Sequence, residues 1–390
     1  FRQGRGIKGK TAVNHRERVL VALNHEEPDR VPVDLGGRQT TFMVETYNRM
    51  KNHLGLNDLP TEVMSHKWQT AYVDEQILKR FSVDCRHIRP SIKPEPEFSE
   101  TGNAKVTFVD EWGVKRIIDG GYASIIEYPL QTATLEDLEA YDWPNPAEIF
   151  NYSSIRIQAA RLHSEGKYAI VGNMGSPGNI FEQSWYLRGL TEFFMDLVDN
   201  KEFAHALMTR ITEIRKQNAE YFLREVGDYL DVFQLADDLA MQNGPYMSPE
   251  LYREMIKPHQ VELFGFVKEL TPAKVYYHSC GSVTGLLDDL IDVGVDILNP
   301  VQVSADGMQT DRLKQRFGDR LSFWGAIDTT EVLPNRTADD VRSEVRRVIH
   351  DLAPGGGFVL ASVHNLQPDI PPENILAMFE AAAQYGKYPL

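Results

Sequence analysis

Residues 274–302 run KVYYHSCGSVTGLLDDLIDVGVDILNPVQ: an aromatic and β-branched run, a segment of helical period, then a second apolar run. Residues 274–280 fit a strand that Gly281-Ser282 ends, residues 283–292 fit a helix, and residues 297–302 begin the next strand. This is the pattern of successive βα units. Side chains two apart on a strand face the same side, so His278 and Cys280 converge on one point while Ser279 turns away.

The same alternation extends outward from about residue 165. Further strand candidates are residues 169–174, 231–238, 321–327 and 358–363, with helix candidates at 249–269, 338–352 and 372–385. Residues 31–35 and 84–89 supply two earlier strands. Eight strands with intervening helices, in a chain of 390 residues, fit an α/β fold of the (β/α)8 TIM-barrel type, usually about 250 residues long. The excess falls in two places. Residues 14–24 read as an N-terminal helical extension, and residues 105–119 alternate as a β-hairpin insertion with Trp112-Gly113 near its turn. Residues 1–13 read as a disordered or appended tail, and residues 14–390 as one barrel domain.

A hydrophobic fraction of 42% beside 25% charged residues suits a globular chain with a large core. The net charge of −15 disfavours nucleic acid and anionic membranes as partners, since both need clustered Lys and Arg. No apolar run reaches the roughly 18 residues of a membrane span. The two cysteines, Cys85 and Cys280, lie far apart, which points to a reducing compartment and a cytoplasmic location.

Barrel enzymes carry their chemistry at the C-terminal ends of strands. Here those ends offer Asp34 and Arg38, Asn173 followed by Glu182-Gln183, Asp237-Asp238, His278 and Cys280, Asn299 and Gln302, Asp328, and His364-Asn365. Thiolate and imidazole suit zinc, which tolerates an open position for a substrate. Two ligands are too few, and His364, just past residues 358–363, is the nearest third. The competing reading is a packed histidine and a buried cysteine acting as a small hydrophobe. Asp237, Asp238 and Asp328 equally suit caps, Asn299 before Pro300 a turn, and Glu182 the solvated face of a helix.

Longer segments carry a family likeness. RERVLVALNHEEPDRVPV (16–33) at the start, HNLQPDIPPENI (364–375) at the end, and between them residues 172–177, SPELY (248–252), GVD (294–296) and WGAID (324–328) resemble the uroporphyrinogen decarboxylase superfamily. The resemblance covers nearly the whole chain from about residue 14 and implies a (β/α)8 barrel with one of two chemistries. Decarboxylases of the superfamily grip substrate carboxylates with two arginines on the segment matching residues 32–41. This chain keeps only Arg38, displaced by a residue, and adds Asp34. The zinc-dependent branch, similar to methylcobamide:coenzyme M methyltransferase, carries His-x-Cys on a strand end and a further Cys near the C-terminus. His278-Ser279-Cys280 matches the first part, and His364 stands where the further Cys falls.

The resemblance therefore implies Zn2+ held by His278, Cys280 and His364. It implies a methyl group moved between a small donor, a methyl ether or thiol-type compound, and a corrinoid on a separate protein. Asp237 and Asp238 would complete the shell, orient His278 or hold substrate, with Asp34, Arg38, Asn173, Glu182 and Gln183 on the substrate side. Arg38 is the only cation among these residues. An octacarboxylate would meet like charges there, so a small neutral or mono-anionic donor is expected instead. Two rival readings stay open: a decarboxylase or lyase with His364 and an Asp as acid and base, and a noncatalytic barrel that binds a corrinoid or tetrapyrrole.

Overall fold

The computed structural model describes residues 13–93, 97–101, 105–119, 121–176 and 178–390. The tail expected at residues 1–13 lies, Val13 apart, outside them. Asn14 opens the first helix, α1 (His15–Leu23), by accepting from the Glu17 amide, and the Glu17 carboxylate accepts in return from the Asn14 amide.

Seven parallel strands follow: β1 (Cys85–Ile88), β2 (Ala169–Gly172), β3 (Val232–Ala236), β4 (Lys274–His278), β5 (Ile297–Asn299), β6 (Ser322–Ile327) and β7 (Phe358–Ser362). They pair in chain order with no reversal, which is the winding of a barrel rather than of an open doubly wound sheet. Residues 32–34 close the ring. The Asp34 amide donates to the Leu360 carbonyl, the Leu360 amide to Pro32, and the Asp84 amide to Val33. The strand expected at residues 31–35 is thus reduced to an isolated bridge. Pro32 has no amide hydrogen to give, and the Val33 amide is taken by the Asp84 carboxylate at 2.8 Å.

Strand alternation sends Cys85, Ala169, Val171, Val232, Tyr276, Ile297, Trp324, Val359 and Ala361 into the barrel, where Val19 and Leu23 of α1 join them in one buried cluster. Tyr276 meets Trp324 edge to face at 5.5 Å. Arg16 bonds Asp231 and Arg18 bonds Asp84, residues that stand just before β3 and β1, so α1 closes the N-terminal end. The same parity carries His278 and Asn299 to the axis at the opposite end.

Helices Lys201–Val226, Lys257–Leu270, Leu287–Val293, Thr310–Phe317, Ala338–Leu352 and Pro372–Tyr385 cover the outer faces of the strands. The last two have the expected bounds. A π-helical turn, Tyr252–Ile256, interrupts the segment expected at 249–269. Most expected strands overran at their C-terminal ends. β4 stops at His278, so Cys280 lies in a loop.

The expected hairpin is present as Lys105–Val109 and Lys115–Ile118, turning at Gly113 with φ +75°. It is the centre of a four-stranded antiparallel sheet with Ser99–Thr101 and Ser124–Glu127. A second small hairpin, Val63–Ser65 with Thr70–Ala71, carries His66-Lys67-Trp68 at its tip. Among the described residues no helix is long and apolar enough to cross a membrane.

Candidate metal centre and substrate cavity

Asn299 sets the state of His278. Its Nδ2 donates to the Trp324 carbonyl at 2.8 Å, so its Oδ1 faces the His278 Nδ1 at 2.5 Å and accepts from it. The proton therefore sits on Nδ1, and Nε2 presents a lone pair 3.4 Å from the Cys280 Sγ. Two such donors on a tetrahedral zinc ion stand about 3.5 Å apart, so this spacing is already that of a ligand-shell edge. His364 turns its Nδ1 to the Tyr122 hydroxyl at 3.1 Å and its ring toward His278, with ring centres 5.5 Å apart. Donor atoms of His278, Cys280 and His364 all lie within 4.8 Å of one another.

Burial pushes His278 down to about 4 and His364 down to about 3, so both rings are neutral at pH 7 with lone pairs free. Burial, with the charges of Asp238 and Glu182, pushes the Cys280 thiol well up. A bound cation reverses that preference and favours the thiolate. Two neutral imidazoles and one thiol fit a catalytic zinc shell with a position left open.

The convergence of His278 and Cys280 does not come from strand pleat alone. Asp238 Oδ1 accepts from the Cys280 amide at 2.7 Å, and Gln302 Oε1 from the Gly281 amide at 2.7 Å. Gly281 has φ +89°, and a Cβ there would lie 2.6 Å from the Ala240 carbonyl oxygen. Asp238 Oδ1 also stands 3.8 Å from the His278 Nε2.

A cavity of about 850 Å3 opens over this end of the barrel, lined by Arg38, Glu182, Gln183, Asp238, His278 and His364 from the expected set. Glu182 is half-buried on the cavity wall rather than on a solvated helix face. The Tyr186 hydroxyl donates to it at 2.6 Å, and burial plus the Asp238 charge push it up to about 7. Burial and the Asp237 charge push Asp238 up to about 6.

Three other expected residues serve the frame and do not line the cavity. Asp237 accepts from the amides of Ile180, Phe181 and Glu182 at 2.8–2.9 Å, anchoring helix α2 (Phe181–Arg188). Asp34 is enclosed by Thr40 Oγ1, His87 Nε2 and Trp324 Nε1 at 2.8–3.1 Å. Burial acts to raise its pKa, yet these partners hold it below the usual carboxylate range. Asn173 accepts from the Gly175 amide at 2.9 Å and holds that loop. Asp328 forms a turn instead of the expected helix cap, accepting from the Thr330 amide at 2.7 Å, while Glu331 takes the N-cap position of helix Val332–Asn335.

The expectation of Arg38 as the only cation is overturned. Arg89 beyond β1, Arg215 of helix Lys201–Val226 and Lys67 at the hairpin tip also line the cavity, while Asp34 and Asp237 leave it. Burial, with Arg116 nearby, pushes Lys67 down to about 8. Arg89 closes a predicted strand and was within reach of strand-end reasoning. Lys67, Tyr122, Tyr186 and Arg215 come from insertions and helices, and no local pattern marks them.

A His-Cys-His cluster under a cavity at the C-terminal end of a parallel barrel defines the class: a barrel protein with a candidate metal site. The chain belongs to the uroporphyrinogen decarboxylase (URO-D) family, whose model matches residues 14–385. It is 22% identical to a uroporphyrinogen decarboxylase of Alkalilimnicola ehrlichii, over 96% of this chain and 95% of that protein. It is 23% identical to one of Nostoc punctiforme, over 94% and 95%. In structure it is similar to a methyltransferase from Methanosarcina mazei, with a TM-score of 0.64, 18% identity, and coverage of 95% of this chain and 99% of that one.

Proposed function

We propose that the protein is a zinc-dependent methyltransferase that moves a methyl group between a small donor and a corrinoid carried by a separate protein. The observation that carries this reading is the convergence of His278 Nε2, Cys280 Sγ and His364, with His278 locked by Asn299 in the ligating tautomer. The fold shared with a protein titled a methyltransferase supports it. Zinc, when bound, supplies Lewis acidity at an open coordination position.

The chain's own groups do the rest. Asp238 holds the loop that presents Cys280, and Tyr122 orients His364. Loss of a methyl group leaves the donor's heteroatom with an electron pair that takes a proton. Glu182, poised near neutrality and bonded by Tyr186, is the cavity's proton-holding group.

The test is metal analysis followed by assay. Protein purified without added metal is expected to contain stoichiometric zinc, and with methyl donors plus reduced corrinoid to form methylcobalt. Cys280→Ser should lose zinc with the barrel intact. His364→Ala should weaken zinc binding about tenfold or more, and His364→Cys should keep it. Full zinc in Cys280→Ser, or stepwise decarboxylation of uroporphyrinogen, would overturn the reading.

A further inference from the structure

Among the described residues three guanidiniums in the cavity, those of Arg38, Arg89 and Arg215, have no carboxylate partner, and the first two also lack the set of hydrogen bonds that holds Arg215. Arg89 forms no ion pair and no hydrogen bond among the described residues, and its Nε is buried without a partner. Its guanidinium carbon lies 6.0 Å from the ring centre of Tyr72. Among the described residues Arg38 donates only to the Gly175 carbonyl, at 3.2 Å. Gly175 packs on the residue after Arg89, since a Cβ there would lie 3.0 Å from Pro90 Cγ. The two side chains therefore work on the same side of the cavity, and burial together with the Arg89 charge pushes Arg38 down to about 10.

Of the other cavity cations, which include Lys93, Arg215 and Lys67 are already engaged. Arg215 bonds Ser176, Asn179 and Gln183, and Lys67 stands 3.8 Å from Asp110. Glu111 and Glu182 line the cavity but form no ion pair with Arg38 or Arg89. Two half-buried like charges without an ion-pair partner are unfavourable, and an anion placed between them relieves both. Guanidinium forks match carboxylate and sulfonate oxygens.

We propose that Arg38 and Arg89 form an anion subsite that grips a carboxylate or sulfonate, making the substrate of this cavity a small organic monoanion. The subsite differs from the paired arginines of the decarboxylases, because its second member comes from the end of β1. Only the direction of the ligand's methyl-bearing atom, toward His278, Cys280 and His364, rests on the methyl-transfer reading.

The experiment measures binding by calorimetry at pH 7 with no corrinoid present. Trp68, Tyr72 and Tyr186 line the wall, so the probes are 4-methoxybenzoate, 4-methoxybenzenesulfonate and the neutral 4-methoxybenzamide. At least one anion is expected to bind about tenfold tighter than the amide, and the stronger of the two identifies the group. Arg89→Gln should abolish that preference, while Arg89→Lys, which keeps the charge and guards against misfolding, should retain part of it. Equal affinity for amide and acids, a preference that survives both Arg38→Gln and Arg89→Gln, or no saturable binding of either anion overturns the subsite. Because the readout is binding alone, a failure of methyl transfer leaves this result standing, and the converse also holds.

Discussion

Asn299 shows how one side chain settles the chemistry of another. In sequence it reads as a turn former before Pro300, and only the pairing of β4 with β5 brings its carboxamide to His278. Replacing it by Leu removes the acceptor and frees the imidazole to change tautomer. Zinc affinity should fall about 10- to 100-fold, read by competition with a chelating dye, and unchanged affinity would refute the role. His278 and His364 were legible because strand ends can be read along the chain, whereas Cys280 was picked out by a strand parity that stops at His278 and is brought there by the loop that Asp238 and Gln302 hold. Asn299 and Arg215 were not, since their partners are distant in sequence. Glu182 was placed on the substrate side and does line the cavity, but its cover was not legible, because a carboxylate in a helical segment carries no mark of what packs over it. Its folded pKa, about 7, lies above the ordinary value of 4.5, so its contribution to stability is present below the unfolded value and lost as pH rises through 7. Glu182→Gln should therefore raise the melting temperature at pH 8 and leave it nearly unchanged at pH 4. A gain of equal size at both would contradict the assignment.

Helix α2 depends on a residue from another element. Ile180 at its N-cap makes no side-chain cap, and Asp237 beyond β3 satisfies its first amides instead. Asp237→Ala leaves three buried donors unpaired and should cost about 2–5 kcal/mol in urea unfolding, with a loss under about 0.5 kcal/mol counting against the anchor. Amphipathic helices such as Ala338–Leu352 were legible to the residue because period and Thr337 cap agree. Strand ends were not, because an apolar run does not change character where pairing stops. The outer strands of the insertion, Ser99–Thr101 and Ser124–Glu127, carry too few apolar residues to alternate.

Across the whole molecule, Asp84 ties the barrel's lower end together. It accepts from Arg18, Arg30 and the Val33 amide at 2.7–2.9 Å, and its Oδ1 lies 2.7 Å from His15 Nδ1, joining α1, the closing segment and β1. Burial acts to raise its pKa, yet His15, Arg30 and Arg18 hold it low. The stability it supplies is present above the unfolded value of about 3.9 and is lost as pH falls through the depressed folded value. Asp84→Asn should cost about 3–5 kcal/mol at pH 7, and the gap to the natural protein should narrow in acid. Equal urea midpoints at pH 7 would contradict it. The barrel class was legible because βα units recur along the chain. Its closure was not, because one bridge and a carboxylate stand in for the eighth strand.

With α1 closing the lower end of the barrel, the cavity over the His-Cys-His cluster lies at the opposite end, and visitors approach from there. In the proposed reaction a small methyl donor and a corrinoid-bearing protein would share that approach, and the larger one, once seated, would bar the exit of the smaller. The proposed reaction would then run in a fixed queue, in which the small molecule enters first and leaves last.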